Sequence, residues 1–120
     1  MLSWALHHNI KEACEDFFEI EEEEMKELFD IVNKLKWAVK NSFGADLFNY
    51  ASFGNVIRHV HLHFIPRYKK PVVFHGVKFV DKRWGRNYAP YNRSFKIPEK
   101  VVISIRDVIK NVLISPDLCK

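Results

Sequence analysis

Three histidines alternate with large apolar residues in the segment RHVHLHFI at residues 58–65. Successive side chains of a β-strand point to opposite faces. The pattern therefore predicts a strand over residues 57–65 that ends at Pro66, because proline cannot donate a ladder hydrogen bond. We expect the apolar side chains to face the core and the histidines to share the other face. The apolar positions are Val60, Leu62 and Phe64, and the histidines are His59, His61 and His63.

Two helices are predicted on either side of this strand. Apolar residues recur at steps of three and four up to Phe43, and Gly44 stands where a left-handed C-cap is expected, so we predict a long helix over about residues 21–43. Pro98 suits a first helical turn, and the apolar spacing after it predicts a C-terminal helix over about residues 98–113. Because residues 101–105 are rich in β-branched side chains, a strand is the alternative there.

The remaining patterns indicate strands and a loop. Residues 47–53 alternate like a strand, and residues 71–81 predict a hairpin that turns near His75 and Gly76. Residues 82–95 are rich in Gly, Pro, Asn and aromatic residues, as loops often are. The expected fold class is therefore α+β, with one antiparallel sheet of about four or five strands and two helices, in a single domain over residues 1–120.

Charge is distributed unevenly along the chain. Residues 1–30 contain ten acidic and two basic residues, a net charge of −8, whereas residues 31–120 carry a net charge of +12. The basic part contains the histidines and has the sign that suits a polyphosphate or another anionic ligand. The glutamates at residues 21–24 are expected to form a solvated face at the start of the long helix.

The composition excludes some functional classes. No apolar run approaches the length of about 18 residues that a membrane span needs, and the N-terminus does not resemble a signal peptide. Cys14 and Cys119 lie far apart without zinc or redox spacing, so both are expected to be reduced thiols. We expect a cytoplasmic protein with neither a membrane nor a nucleic acid as partner.

The three histidines have two competing chemical uses. An HxH pair can bind a metal ion, but the outer histidines of an extended triplet lie about 13 Å apart, too far for one zinc ion to bind all three. His7, His8 and His75 could add a ligand, although their spacing does not support this. The other use is nucleophilic attack on phosphorus by a neutral imidazole whose second nitrogen is held by an acceptor.

Residues 49–68, NYASFGNVIRHVHLHFIPRY, strongly resemble the histidine triad (HIT) family. The family signature is His-φ-His-φ-His-φ-φ, where φ is apolar, and residues 59–65 match every position of it. Gly54-Asn55 and Pro66-Arg67-Tyr68 resemble the diadenosine polyphosphate hydrolase branch. The resemblance extends from about Glu15 to the end of the chain, including EDFFEI before the long helix and the Trp84-Gly85 loop.

The resemblance implies a role for each matching residue. His61 would be the nucleophile that forms a nucleotidyl-histidine intermediate at the α-phosphorus. His59 would maintain its tautomer by a hydrogen bond, and His63 would lie beside the phosphate and the leaving group. Asn49 and Asn55 would bind ribose or phosphate oxygens; an asparagine that only satisfies a turn is the alternative for each. No cofactor or metal is implied, and family members suggest a homodimer.

The sequence also departs from the family pattern near its N-terminus. It begins after the strands that usually wall the nucleoside pocket, and Ala13 stands where a further histidine usually ends the preceding strand. We therefore expect a HIT-like domain with a shortened N-terminus. The expected function is hydrolysis or nucleotidyl transfer at the α-phosphate of a nucleoside polyphosphate or phosphoramidate. The alternative is a catalytically impaired scaffold that binds nucleotides without turnover.

Overall fold

The computed structural model describes residues 14–56, 58–90 and 93–114, together with the backbone of residues 4–5. Two α-helices and five strands form the regular structure of these residues. In chain order, the elements are β1 (Trp4–Ala5), a 3₁₀ turn (Phe17–Glu19), α1 (Glu22–Phe43), β2 (Leu47–Ala51), β3 (His63–Arg67), β4 (Val72–Phe74), β5 (Val77–Phe79) and α2 (Glu99–Ile114). The α+β class and both predicted helices are confirmed.

The described strands form two antiparallel sheets. One sheet has the order β1-β3-β2, and β4 pairs with β5 in a separate hairpin. The prediction of one sheet was wrong for these residues, because the hairpin packs its apolar side chains against the helices. Phe43 of α1 meets Phe74 of β4 edge to face, with ring centroids 5.3 Å apart.

Gly44 ends α1 as the sequence predicts. It adopts a left-handed conformation with φ 67°, and its N–H donates to the carbonyl of Lys40. A residue with a Cβ is strained in this conformation, so glycine is preferred here. The chain can therefore turn directly from α1 into β2.

The main core lies between the helices and one face of β3. Phe64 is completely buried there, and its ring packs against Phe48 and Tyr50 of β2. The buried apolar residues of the helices complete the cluster: Leu35, Ala38 and Val39 of α1, and Val101, Ile105 and Ile109 of α2. This core fixes the orientation of β3, and therefore determines which of its side chains face away from the helices.

The hairpin turns at the predicted residues. His75 and Gly76 have positive φ angles of 47° and 77°, which is the combination that a two-residue type I′ turn requires. Residues 82–90 and 93–95 contain neither helix nor strand, in agreement with the predicted loop.

The histidine strand differs from its predicted bounds at both ends. It begins at His63, where β2 reaches its last paired residue, Ala51, so residues 58–62 have no strand partner among the described residues. It also continues through Pro66 to Arg67. The carbonyl of Arg67 accepts from the N–H of Asp46 on the β2 side, so the preceding Pro66 nitrogen faces away from β2 and no hydrogen bond to that strand is lost.

A buried arginine links β3 to the loop that follows the hairpin. Arg67 is 4% exposed, and its guanidinium makes a bidentate contact with Asp81, at 2.6 and 3.2 Å. It also donates to the carbonyl oxygens of Arg83 and Arg86 and to the side chain of Asn49. A guanidinium has five N–H donors, and all five are used here.

Asp81 is the carboxylate that balances this buried charge. Partial burial by itself would raise the pKa of Asp81, but hydrogen bonds from Arg67 and from the backbone N–H groups of Arg83 and Tyr68 outweigh it and lower the pKa below its ordinary value. The ionised form is therefore favoured in the folded state, and the contact holds the loop against the sheet.

No helix in the described part of the chain combines the length and apolar character that crossing a membrane requires.

Replacing Gly44 with alanine should lower the free energy of unfolding by about 1 kcal/mol, because the new Cβ is strained at positive φ although the space around it is open. Urea denaturation measures the change. Gly54→Ala is the matched control: Gly54 has no positive φ, and its added Cβ would make an ordinary 3.9 Å contact with the Glu15 carbonyl. Equal losses in the two variants would contradict the left-handed cap as the cause.

Replacing Asp81 with asparagine should lower the free energy of unfolding by about 3 kcal/mol at pH 7, because it leaves the buried Arg67 charge unbalanced. The pKa of Asp81 is lowered in the folded protein, so the stability due to its ionised form is present above the unfolded pKa and is lost as pH falls through the folded pKa. The difference from wild type should therefore shrink in denaturation experiments at increasingly acidic pH.

The matched control for this variant is Asp107→Asn, which removes the carboxylate of an exposed pair with Arg106. Its cost should stay below about 0.5 kcal/mol, because solvent screens that pair. A cost for Asp81→Asn as small as that of the control would show that the buried contact does not stabilise the fold.

Candidate functional site

The three histidine rings form a continuous row. His63 is the first residue of β3, and His59 and His61 lie in the irregular segment before it. The ring centroids of His59 and His61 are 5.9 Å apart, and those of His61 and His63 are 5.1 Å apart. These separations are shorter than the spacing of about 7 Å expected along a regular strand. The central ring is thus in edge contact with both neighbours.

The predicted alternation is only partly kept in this segment, which lies outside the strand ladder. Val60 is 5% exposed and Phe64 is completely buried, but Leu62, which was also expected to face the core, is half-buried like the three histidines. The N–H of Val60 donates to the carbonyl of Cys14 at 3.0 Å, so the segment before the 3₁₀ turn supplies a backbone partner that none of the described strands provides. This bond and the burial of Val60 hold the row of rings on one side.

A backbone contact determines the tautomer of His61. Its Nδ1 lies 3.0 Å from the carbonyl oxygen of His59. A carbonyl oxygen can only accept a hydrogen bond, so Nδ1 carries the proton and Nε2 of the neutral ring keeps its lone pair. The family resemblance implied that His59 would hold this tautomer by a hydrogen bond, and in the structure the contact comes from its main chain. This arrangement is what a nitrogen nucleophile requires.

The ring of Phe53 lies beside the row of imidazoles and makes one side of it apolar. The sequence analysis did not identify Phe53 as a site residue. Its ring centroid lies 6.0 Å from that of His63, and the side chain is 49% exposed. Phe53 follows the observed end of β2 by two residues, so the only sequence signal for it was the alternation over residues 47–53. An exposed ring beside an imidazole row can contact an aromatic or apolar group of a ligand.

Asn49 lies on the same sheet face as His63. Asn49 is paired with Ile65, and Ala51, two residues further along β2, is paired with His63. Asn49 and His63 are therefore diagonal neighbours across the two strands. Its side-chain oxygen accepts from Nη1 of Arg67 at 2.6 Å. The sequence did not indicate this contact; the available signal was a charged residue four positions after His63, which an extended strand places on the same face as that histidine.

Asn55 occupies a different setting. It is exposed in the loop that joins β2 to the histidines, and no hydrogen bond connects it to another described residue. The structure therefore brings Asn49 to the same sheet face as the row of rings, and it leaves Asn55 on the loop that leads to the row.

A shallow groove of about 670 Å³ lies beside the 3₁₀ turn. Its lining consists of residues 15–19 with Ser52 and Gly54, and includes the carboxylates of Glu15, Asp16 and Glu19. None of the three histidines lines it. Carboxylates repel phosphate, so the charge of this lining does not favour a phosphate group.

The described residues contain no group of three or more His, Cys, Asp or Glu side chains that could hold a metal ion. His75 lies at the exposed turn of the β4–β5 hairpin, where its ring packs on Phe74 at 4.3 Å. His7, His8 and Ala13 lie outside the described residues.

Comparison with solved structures identifies proteins of the same fold. A histidine triad protein from Sinorhizobium meliloti 1021 superposes with a TM-score of 0.68 at 20% identity, covering 84% of this chain and 67% of that one. A histidine triad protein from Bradyrhizobium japonicum gives a TM-score of 0.67 at 16% identity, covering 86% and 69%. A third, from Marinobacter aquaeolei VT8, gives 0.56 at 22% identity, covering 85% and 67%.

A comparison with curated proteins finds no match. The sequence matches the HIT domain over residues 10–70, which include the row of imidazoles, both asparagines and the whole of α1. That match covers more than half of the chain, and the structural neighbours share the fold. The chain belongs to the HIT domain family.

Proposed function

We propose that this protein is a nucleotide hydrolase or nucleotidyl transferase that acts at an α-phosphate through a covalent intermediate on His61. The observation that carries the proposal is the 3.0 Å contact between Nδ1 of His61 and the His59 carbonyl, which leaves Nε2 as the nucleophilic atom. Membership in a family that binds and processes nucleotides supports the class of substrate. A diadenosine polyphosphate or an adenosine phosphoramidate is the proposed substrate.

In the proposed first step, Nε2 of His61 attacks the α-phosphorus. A P–N bond forms, and the bond from phosphorus to the leaving group breaks with its electron pair on the leaving oxygen or nitrogen. A protonated His63, whose ring is 5.1 Å from that of His61, donates a proton to the leaving atom. His59 keeps the nucleophile oriented through its carbonyl oxygen.

In the proposed second step, water attacks the nucleotidyl phosphorus. Its proton returns to His63, the P–N bond breaks, and the electron pair returns to Nε2 of His61. In transfer, a different acceptor replaces the water. The amide of Asn49 and the N–H groups of the imidazoles supply hydrogen bonds to the charged phosphoryl oxygens, and Asn55 is proposed to reach the substrate from its loop.

The proposed setting is a homodimer in the cytoplasm. Phe29 and Trp37 of α1 are 61% and 46% exposed, a large apolar area for one helix. The first turn of α1 is acidic, whereas Lys34, Lys36 and Lys40 lie in its second half. Two copies packed antiparallel about a twofold axis would pair these opposite charges. Cys14 is a free thiol, as a reducing compartment favours.

Replacing His61 with alanine should lower turnover of diadenosine tetraphosphate and adenosine phosphoramidate roughly 10³-fold or more, because no other group supplies the attacking nitrogen. Chromatographic product assays measure the rate. Intact-mass spectrometry at alkaline pH, where a P–N bond is stable, should detect a nucleotidyl adduct on the wild type after rapid mixing and none on the variant.

The matched control is His75→Ala, which removes an exposed histidine at the hairpin turn and should leave turnover unchanged. Equal turnover by His61→Ala and wild type would refute the nucleophile. Tight nucleotide binding by a wild type that shows no turnover would favour the alternative, a HIT scaffold that only binds nucleotides.

Replacing Trp37 with glutamate should convert the proposed dimer to a monomer, because it places a charge in the apolar part of the α1 surface. Sedimentation equilibrium measures the mass. Phe18→Glu is the control, since Phe18 is 91% exposed and lies outside α1. A wild type that is monomeric at micromolar concentration would reject the dimer without affecting the proposed chemistry.

A further inference from the structure

Arg67 determines which atoms of the Asn49 amide remain available to a ligand. A guanidinium group carries donors only, so the amide atom 2.6 Å from Nη1 must be the oxygen. The NH₂ group of Asn49 is consequently directed away from Arg67. Asn49 is half-buried, and its Nδ2 has no hydrogen-bond partner among the described residues.

The position of Asn49 places this donor on the same sheet face as His63. Asn49 and His63 are diagonal neighbours on one face of the antiparallel β2–β3 pair. Such residues have Cβ atoms about 7 Å apart, a distance that the two side chains and one phosphoryl group can span. A ligand phosphate beside His63 would thus lie within reach of the Asn49 NH₂ group.

The contact with the guanidinium strengthens the Asn49 amide as a donor. Arg67 is 4% exposed, and although Asp81 balances its charge, the N–H that it donates to the Asn49 oxygen polarises the amide toward the NH₂ end. A polarised N–H donor bonds more strongly to a charged oxygen than to a neutral one. A phosphate oxygen therefore fits this donor better than a ribose hydroxyl.

We propose that Arg67 is a positioning residue that fixes the Asn49 amide so that its NH₂ group binds a phosphate oxygen of the nucleotide on the histidine row. This assignment rests on the proposed function for the identity of the ligand. Asp81 serves the same end indirectly, because its bidentate contact keeps the guanidinium in one orientation. Arg67 itself does not touch the ligand.

The decisive variant is Asn49→Asp. A carboxylate has the same shape and can still accept from Arg67, so the fold should be at least as stable as wild type in thermal denaturation. The second carboxylate oxygen replaces the donor and repels phosphate. Affinity for adenosine 5′-monophosphate, measured by calorimetry, should fall roughly 10- to 100-fold, as expected for loss of a hydrogen bond to a charged group.

Adenosine is the second probe, because it has the ribose without the phosphate. Its affinity should change less than about twofold in Asn49→Asp. An equal loss of affinity for both probes would overturn the assignment, and so would an unchanged or increased affinity for adenosine 5′-monophosphate. An increase would indicate that Asn49 contacts a ribose hydroxyl, because a carboxylate can accept a hydrogen bond from a hydroxyl group. Asn87→Asp adds the same charge at an exposed loop position and should change neither affinity.

Arg67→Lys tests whether arginine acts through Asn49. Lysine has three donors on one nitrogen and cannot hold Asp81, Asn49 and two carbonyl groups together, so the Asn49 amide loses its fixed orientation. If the two residues form one unit, Arg67→Lys in the Asn49→Asp background should lower affinity for adenosine 5′-monophosphate no further. Fully additive losses would overturn the positioning role.

The outcome separates this inference from the proposed chemistry. A wild type that turns over adenosine phosphoramidate while Asn49→Asp binds adenosine 5′-monophosphate normally would overturn the phosphate contact and leave the nucleophile in place. A protein without turnover that shows the expected difference between the two probes would support the contact and reject the enzyme.

Discussion

The sheet face that carries His63 and Asn49 depends on the hydrogen bonds of one buried group, the guanidinium of Arg67. A charge with 4% exposure is tolerated only when every donor is satisfied, and here a carboxylate, an amide and two carbonyl groups satisfy them. These partners come from β2 and from the loop after β5. One side chain thus connects β3, β2 and the loop after β5 on the sheet face that carries His63.

The row of imidazoles depends on a second kind of constraint, which is carried by the main chain. Residues 58–62 have no strand partner among the described residues; the Val60 N–H donates to the Cys14 carbonyl, and the His59 carbonyl orients His61. The ring centroids of neighbouring histidines lie 5.9 and 5.1 Å apart, less than the backbone repeat of about 7 Å between alternate residues of a strand.

Sequence periodicity predicted the elements that depend on local pattern. The bounds of α1, the left-handed cap at Gly44 and the turn at His75 and Gly76 all follow from spacing and backbone preference. The start of β3 at His63 did not, because it depends on where β2 ends. The separation of the hairpin from the main sheet and the Arg67 network were missed for the same reason: both depend on contacts between residues distant in the chain.

The acceptor for the Nδ1 proton of His61 is a peptide oxygen, which every amino acid at position 59 would provide. The hydrogen bond that fixes the tautomer of the central ring therefore does not use the side chain two residues earlier. Relatives could exchange that first imidazole for another group and still present the same lone pair. Only a change in the path of the peptide chain between these two positions would remove it.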